Sequence, residues 1–96
     1  MKSTESRLEF TGAIFEEGKY YVSLCLDVDV ASQGRTVHQA KKTLAEAVSL
    51  YLETCFESDS PYMRPVPFEE DPRTNPFDSL VEMFALKVGF RVHALA

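Results

Sequence analysis

Three features of this 96-residue chain predict an α+β fold, with one long helix packed on one face of a mainly antiparallel sheet in the order β-β-β-α-β. Side-chain character alternates from Leu8 to Leu26, interrupted by Glu16-Glu17-Gly18-Lys19. An amphipathic run follows from Thr36 to Phe56, and a second alternation fills Phe84 to Val92. A period of two marks strands with distinct faces, and a period near 3.6 marks a helix. Strands with one segregated helix build a two-layer α+β domain. The length is that of a single domain, residues 1–96, with a core at 8–56, a connector at 57–75 and a C-terminal segment at 76–95. Such a chain buries roughly 60–70% of its unfolded surface.

In the first strand Leu8, Phe10, Gly12 and Ile14 share one face, and Glu9, Thr11, Ala13 and Phe15 the other. Gly18 suits a left-handed position in the turn that follows. Tyr20 to Leu26 resumes as the second strand, so the two read as a β-hairpin. Taken by odd and even number, Phe15, Tyr21 and Cys25 fall on one half-apolar face, open to a partner or to the C-terminal segment folding back over it. Asp27-Val28-Asp29-Val30 leads into a short third strand at 30–33. Thr36 then caps a helix, with Gln39 placed to return a bond to the Thr36 N–H, and Gly34 fits the tight entry. Val37, Ala40, Leu44, Ala47, Val48, Tyr51 and Cys55 recur on one side of that helix.

Beyond Phe56, four of the five prolines and the run Glu69-Glu70-Asp71 make an acidic, extended connector. Asn75-Pro76 predicts a short helix to about Met83, with Phe77, Leu80, Val81 and Phe84 at helical spacing. Phe84, Leu86, Val88, Phe90 and Val92 form the buried row of a final strand.

A net charge of −5 with scattered basic residues argues against phosphate contacts and suits a basic protein partner. No apolar run approaches the ~20 residues of a membrane helix. Residues 1–7 lack the apolar core of a secretory signal, so the expected address is cytoplasmic. Two cysteines are too few for a disulfide framework, and buried free thiols are expected at Cys25 and Cys55.

Asp27 and Asp29 stand two apart at a strand end, where paired carboxylates can share a magnesium ion. No further acid is tied to them by local spacing, and a solvated turn pair is the plainer account. His38 and His93 are the general-base candidates near neutral pH, and neither has a nucleophile at a recognisable spacing. With the two cysteines they lack the clustering of a zinc site. Gly34-Arg35-Thr36 at a helix start is explained by capping, and no nucleotide-binding pattern is present. No cofactor is expected.

The run from Tyr20 to Thr36 resembles the HicB antitoxin family, above all in Ser32-Gln33-Gly34-Arg35-Thr36 leading into the helix. Gln39-Ala40, Leu44-Ala45-Glu46-Ala47 and Leu50-Tyr51-Leu52-Glu53 answer to that family's helix, and the resemblance covers residues 8–56. It implies a partial RNase H-like fold without nuclease activity. It also implies a type II toxin–antitoxin role, in which the domain covers a small basic ribonuclease toxin of the HicA type and assembles as a dimer or larger oligomer. Residues 57–96 offer no basic recognition helix, which argues against operator-DNA binding by this chain. Leu26 stands where the family often has proline.

The expected function is therefore a non-enzymatic antitoxin domain. Its partner surface is expected at Phe15, Tyr21, Asp27, Val28, Asp29 and Val30, rimmed by Glu69, Glu70 and Asp71. The alternatives are an orphan homo-oligomeric domain and a metal-dependent nuclease using Asp27 and Asp29.

Overall fold

The computed structural model describes residues 2–94, and the surroundings of side chains from 6 to 91. Its elements are β1 (Lys2–Glu17), β2 (Tyr20–Cys25), β3 (Val30–Gly34), α1 (Val37–Glu57), a 3-10 turn (Phe68–Glu70) and β4 (Leu80–Ala94). The strands form one antiparallel sheet in the order β3-β2-β1-β4, with α1 across one face. The expected α+β architecture and the order β-β-β-α-β are both present.

Helix α1 forms where its caps and its spacing place it. Thr36 is extended (φ −128°, ψ 160°), and its hydroxyl accepts from Gln39 N at 3.0 Å. The Gln39 amide oxygen in turn accepts from Arg35 N at 2.7 Å, one residue earlier than the expected Thr36 N–H. Gly34 is needed for space rather than for its backbone angles. A Cβ there would stand 2.5 Å from Ala40 N, because the end of β3 runs directly into the first helical turn. Ala40, Leu44, Val48, Leu52 and Cys55 make the buried stripe. Leu44, Val48 and Leu52 meet Phe10, Cys25, Val28, Leu86, Val88 and Phe90 in the main core. Full burial of each large side chain contributes roughly 1.5–3 kcal/mol.

The hairpin corrects the expected faces. Gly18 (φ 61°) and Lys19 form a two-residue turn, so Phe15 opposes Val22, Ala13 opposes Leu24 and Gly12 opposes Cys25. Cross-strand partners share a face, so an odd residue of β1 lies beside an even residue of β2. Tyr21, Ser23 and Cys25 therefore lie under α1, away from Phe15.

The C-terminal segment brings a second correction. No helix forms at 76–83, because Leu80 already pairs with Phe15 in the sheet. Ile14 opposes Glu82 and Phe15 opposes Leu80, which leaves Val81 as the extra residue of a β-bulge. The bulge shifts the alternation, and that shift is what gives Leu80, Val81 and Phe84 their helix-like spacing. Tertiary pairing overrides the local signal. Strand β1 reaches back to Lys2, well beyond the expected start at Leu8, because β4 supplies a backbone partner from Lys2 to Phe15.

The connector is docked. Arg64 N and Val66 N donate to the Asp27 and Leu26 carbonyls, each at 3.0 Å, and the Tyr51 hydroxyl donates to the Tyr62 carbonyl at 2.8 Å. Val66 enters a second, smaller core with Ala13 and Leu26 on the far face of the sheet. It is the connector that folds over that face; the C-terminal segment joins the sheet as β4 and adds Phe77 against Phe15.

Candidate functional site

The nine residues expected to form one surface separate into three places. Phe15 lies half-buried on the far face, its ring edge-on to Phe77 with centroids 5.8 Å apart. Tyr21 lies half-buried on the helix side of the sheet, where it pairs with Glu16 and Gly34. Val28 is fully buried in the main core and Val30 packs against it. Val28 is a core residue, and the expectation that it meets a partner is corrected.

Asp27 has a structural task. Its carboxylate accepts from Thr11 N at 2.7 Å, just past the point where Leu26 N donates to the Thr11 carbonyl. It thereby ends the β1–β2 ladder with a charge-assisted bond. Asp29 is exposed in the left-handed region (φ 52°), and its carbonyl accepts from Arg64 Nη2 at 3.4 Å. The two carboxylates of the nuclease alternative thus hold unlike surroundings. Among the described residues, no three His, Cys, Asp or Glu side chains gather as metal ligands do.

Glu69 and Glu70 stand exposed on the 3-10 turn. Asp71 is engaged internally: its carboxylate grips Arg73 Nη2 at 2.8 Å and accepts from Arg73 N at 2.8 Å. The Arg73 hydrogen bonds hold the Asp71 carboxyl below the usual carboxylate range. The same bonds, with a smaller contribution from Asp27, raise Arg73.

His38 is exposed at the start of α1, and the His93 side chain lies outside the described residues. Cys25 and Cys55 are free, buried thiols, as expected. Burial pushes Cys25 up to about 11, so it is a protonated core residue. Among the described residues no helix is long and apolar enough to cross a membrane.

The geometry assembles a different apolar surface. Phe15, Val22, Leu24, Leu80 and Met83 lie half-buried on the far face, with Phe77 at 40% exposure at their edge. Among the described residues no helix covers this face; Phe15, Leu24, Leu80 and Met83 pack against the smaller core of Ala13, Leu26 and the strap's Val66 and keep part of their surface exposed. Val22, Leu24 and Met83 were not expected here, although a two-residue hairpin turn would have placed the first two beside Phe15 and Ala13. Glu17 is exposed on the same row of β1 as Phe15, Asp78 is exposed next to Phe77 in the chain, and Glu69 and Glu70 are exposed on the 3-10 turn of the strap.

Comparison of the chain with models of known families, with curated proteins and with solved structures returns no significant match.

Proposed function

We propose that the chain is a non-enzymatic, HicB-like antitoxin domain that binds and occludes a small basic ribonuclease toxin of the HicA type in the cytoplasm. The observation that carries this reading is the far face of the sheet: half-buried apolar side chains without a helical layer, beside exposed acids and within a net charge of −5. An apolar centre with a charged rim is the anatomy of a protein interface. Acidic groups at the rim speed the approach of a basic partner and disfavour an acidic one. Phe15 and Glu69-Glu70 keep their expected roles in this reading, and Leu24, Phe77, Leu80 and Met83 join them. Tyr21 and Val28 serve the fold.

The test is inhibition. A HicA-type toxin from the same genome is titrated with the purified protein while RNA cleavage is followed. Expected is loss of cleavage at a fixed stoichiometry, with Leu24→Asp weakening the inhibition and Tyr21→Phe leaving it intact. Undiminished cleavage at saturating protein would sink the reading. Magnesium-dependent RNA cleavage by the protein alone, lost in Asp27→Asn, would replace it with the nuclease alternative.

A further inference from the structure

The edges of the sheet are closed unevenly. On β3 the Gln33 carbonyl accepts from the Thr43 hydroxyl at 2.8 Å. On β4 the Gly89 carbonyl accepts from Ser49 Oγ at 2.7 Å, and Arg91 N donates to a Glu53 carboxylate oxygen at 3.1 Å. The three helix residues thus satisfy backbone groups of both outer strands. On β1 the Thr11 carbonyl and N–H both point toward β2, where Leu26 N and the Asp27 carboxylate meet them. Backbone direction alternates along a strand, so Arg7, Glu9 and the backbone at Glu5 and Ser3 also turn their N–H and carbonyl groups to that side. There β2 has already ended, its last pair being Cys25 with Gly12. Among the described residues neither Arg7 nor Glu9 has a hydrogen-bond partner on this side.

We infer that this open edge of β1, residues 3–9, pairs antiparallel with the same edge of a second copy, joining two molecules through a β4-β1-β1-β4 sheet. The charges select both the occupant and the register. A two-fold axis at Ser6 sets Arg7 opposite Glu5 of the second copy, twice by symmetry. Within one chain Glu5 already stands opposite Arg91, so a row across the joined sheet alternates in sign: Arg91, Glu5, then Arg7 of the second copy. A shift of the axis to Arg7 sets Arg7 against Arg7 and Glu5 against Glu9; a shift to Glu5 sets Glu5 against itself. A one-residue slip turns the backbone groups away. The seam supplies about eight inter-chain hydrogen bonds, two for each pair of facing odd-numbered residues. This pairing is independent of what the far face of the sheet binds.

Sedimentation and native mass measurements on the full chain test it. The expected species is a dimer. Arg7→Glu, which creates two like-charged pairs in the seam, raises its dissociation constant at least about tenfold. Glu5→Arg added to Arg7→Glu restores the dimer. Ser6→Cys cross-links under mild oxidation, because facing residues that share no hydrogen bonds stand with Cα atoms ~4.5 Å apart, within disulfide reach. Cys25 and Cys55 are buried and do not compete. Ala85→Cys, placed on the outer strand β4, stays uncross-linked. A monomer at the highest soluble concentration overturns the inference. So does an Arg7→Glu protein with native circular dichroism and undiminished dimerisation, or cross-linking through Ala85→Cys in place of Ser6→Cys.

Discussion

The two faces of the sheet are built by different means. The helix face is closed by one continuous element, whose side chains at i and i+4 descend into a core reaching from Phe10 to Phe90. The far face is crossed by a proline-rich strap with two buried apolar residues, Val66 and Pro72, and three clasps. These are the pairing of residues 64–66 with Asp27 and Leu26, the Asp71–Arg73 grip, and the Asn75 amide donating to the Phe68 carbonyl at 2.6 Å. A helix buries a stripe at every turn. A strap pins a few points and leaves apolar surface between them. The first solution yields stability, and the second leaves a surface with the composition of an interface.

Unfolding in denaturant separates the two. Leu44→Ala, at the centre of the helix stripe, is expected to cost about 2–5 kcal/mol. Gly34→Ala forces the β3–α1 junction apart and should cost about 1–3 kcal/mol, because the obstacle is backbone rather than a flexible side chain. Val66→Ala, in the smaller core, should cost about 1–2 kcal/mol and expose the Leu26 and Ala13 amides to faster hydrogen exchange. If Val66→Ala proves as damaging as Leu44→Ala, the two faces are equals and the comparison fails. Ser23 carries the opposite sign. Its hydroxyl is fully buried under α1 with no partner, so Ser23→Ala should be neutral or stabilising by up to about 1 kcal/mol.

The smallest effect is a pH dependence in the strap. Arg73 lowers the folded-state pKa of Asp71, so the unfolded chain binds the proton more readily. The stabilisation is present above the unfolded carboxylate pKa of about 3.9 and is lost as pH falls through the lower folded value. Arg73→Ala should flatten the acid limb of stability against pH. An unchanged limb would show that the clasp adds nothing to the strap.

Much of this architecture can be read from residue order alone. Thr36 and Gln39 mark the start of α1, its apolar spacing gives its buried side, and Phe84 to Phe90 announces a strand by strict alternation. What escaped depends on counting errors that period-two patterns magnify. Any hairpin turn with an even number of residues sets odd positions of β1 beside even positions of β2, so matching odd with odd exchanges the faces of β2, and a single bulged residue at Val81 makes a strand resemble a helix. The candidate surface inherited the first of these, so Phe15 was grouped with Tyr21 instead of Val22 and Leu24. Val28 escaped for another reason. It sits between two aspartates in a tight turn, and nothing in that local pattern reveals that the turn tucks its middle residue inward.

Strand β1 is the first and β4 the last of the described elements, yet they pair from Lys2 with Ala94 to Phe15 with Leu80. The sheet cannot be completed during synthesis until residues 80–94 leave the ribosome, so β1 waits with one edge unsatisfied. Pairing so distant in sequence carries a large loop-closure cost, and the domain should fold slowly for its size. The same arrangement sets residues 2 and 94 side by side. A short linker between them, with the chain reopened at the exposed Gly18–Lys19 turn, would yield a circular permutant whose β4–β1 pairing becomes a local hairpin.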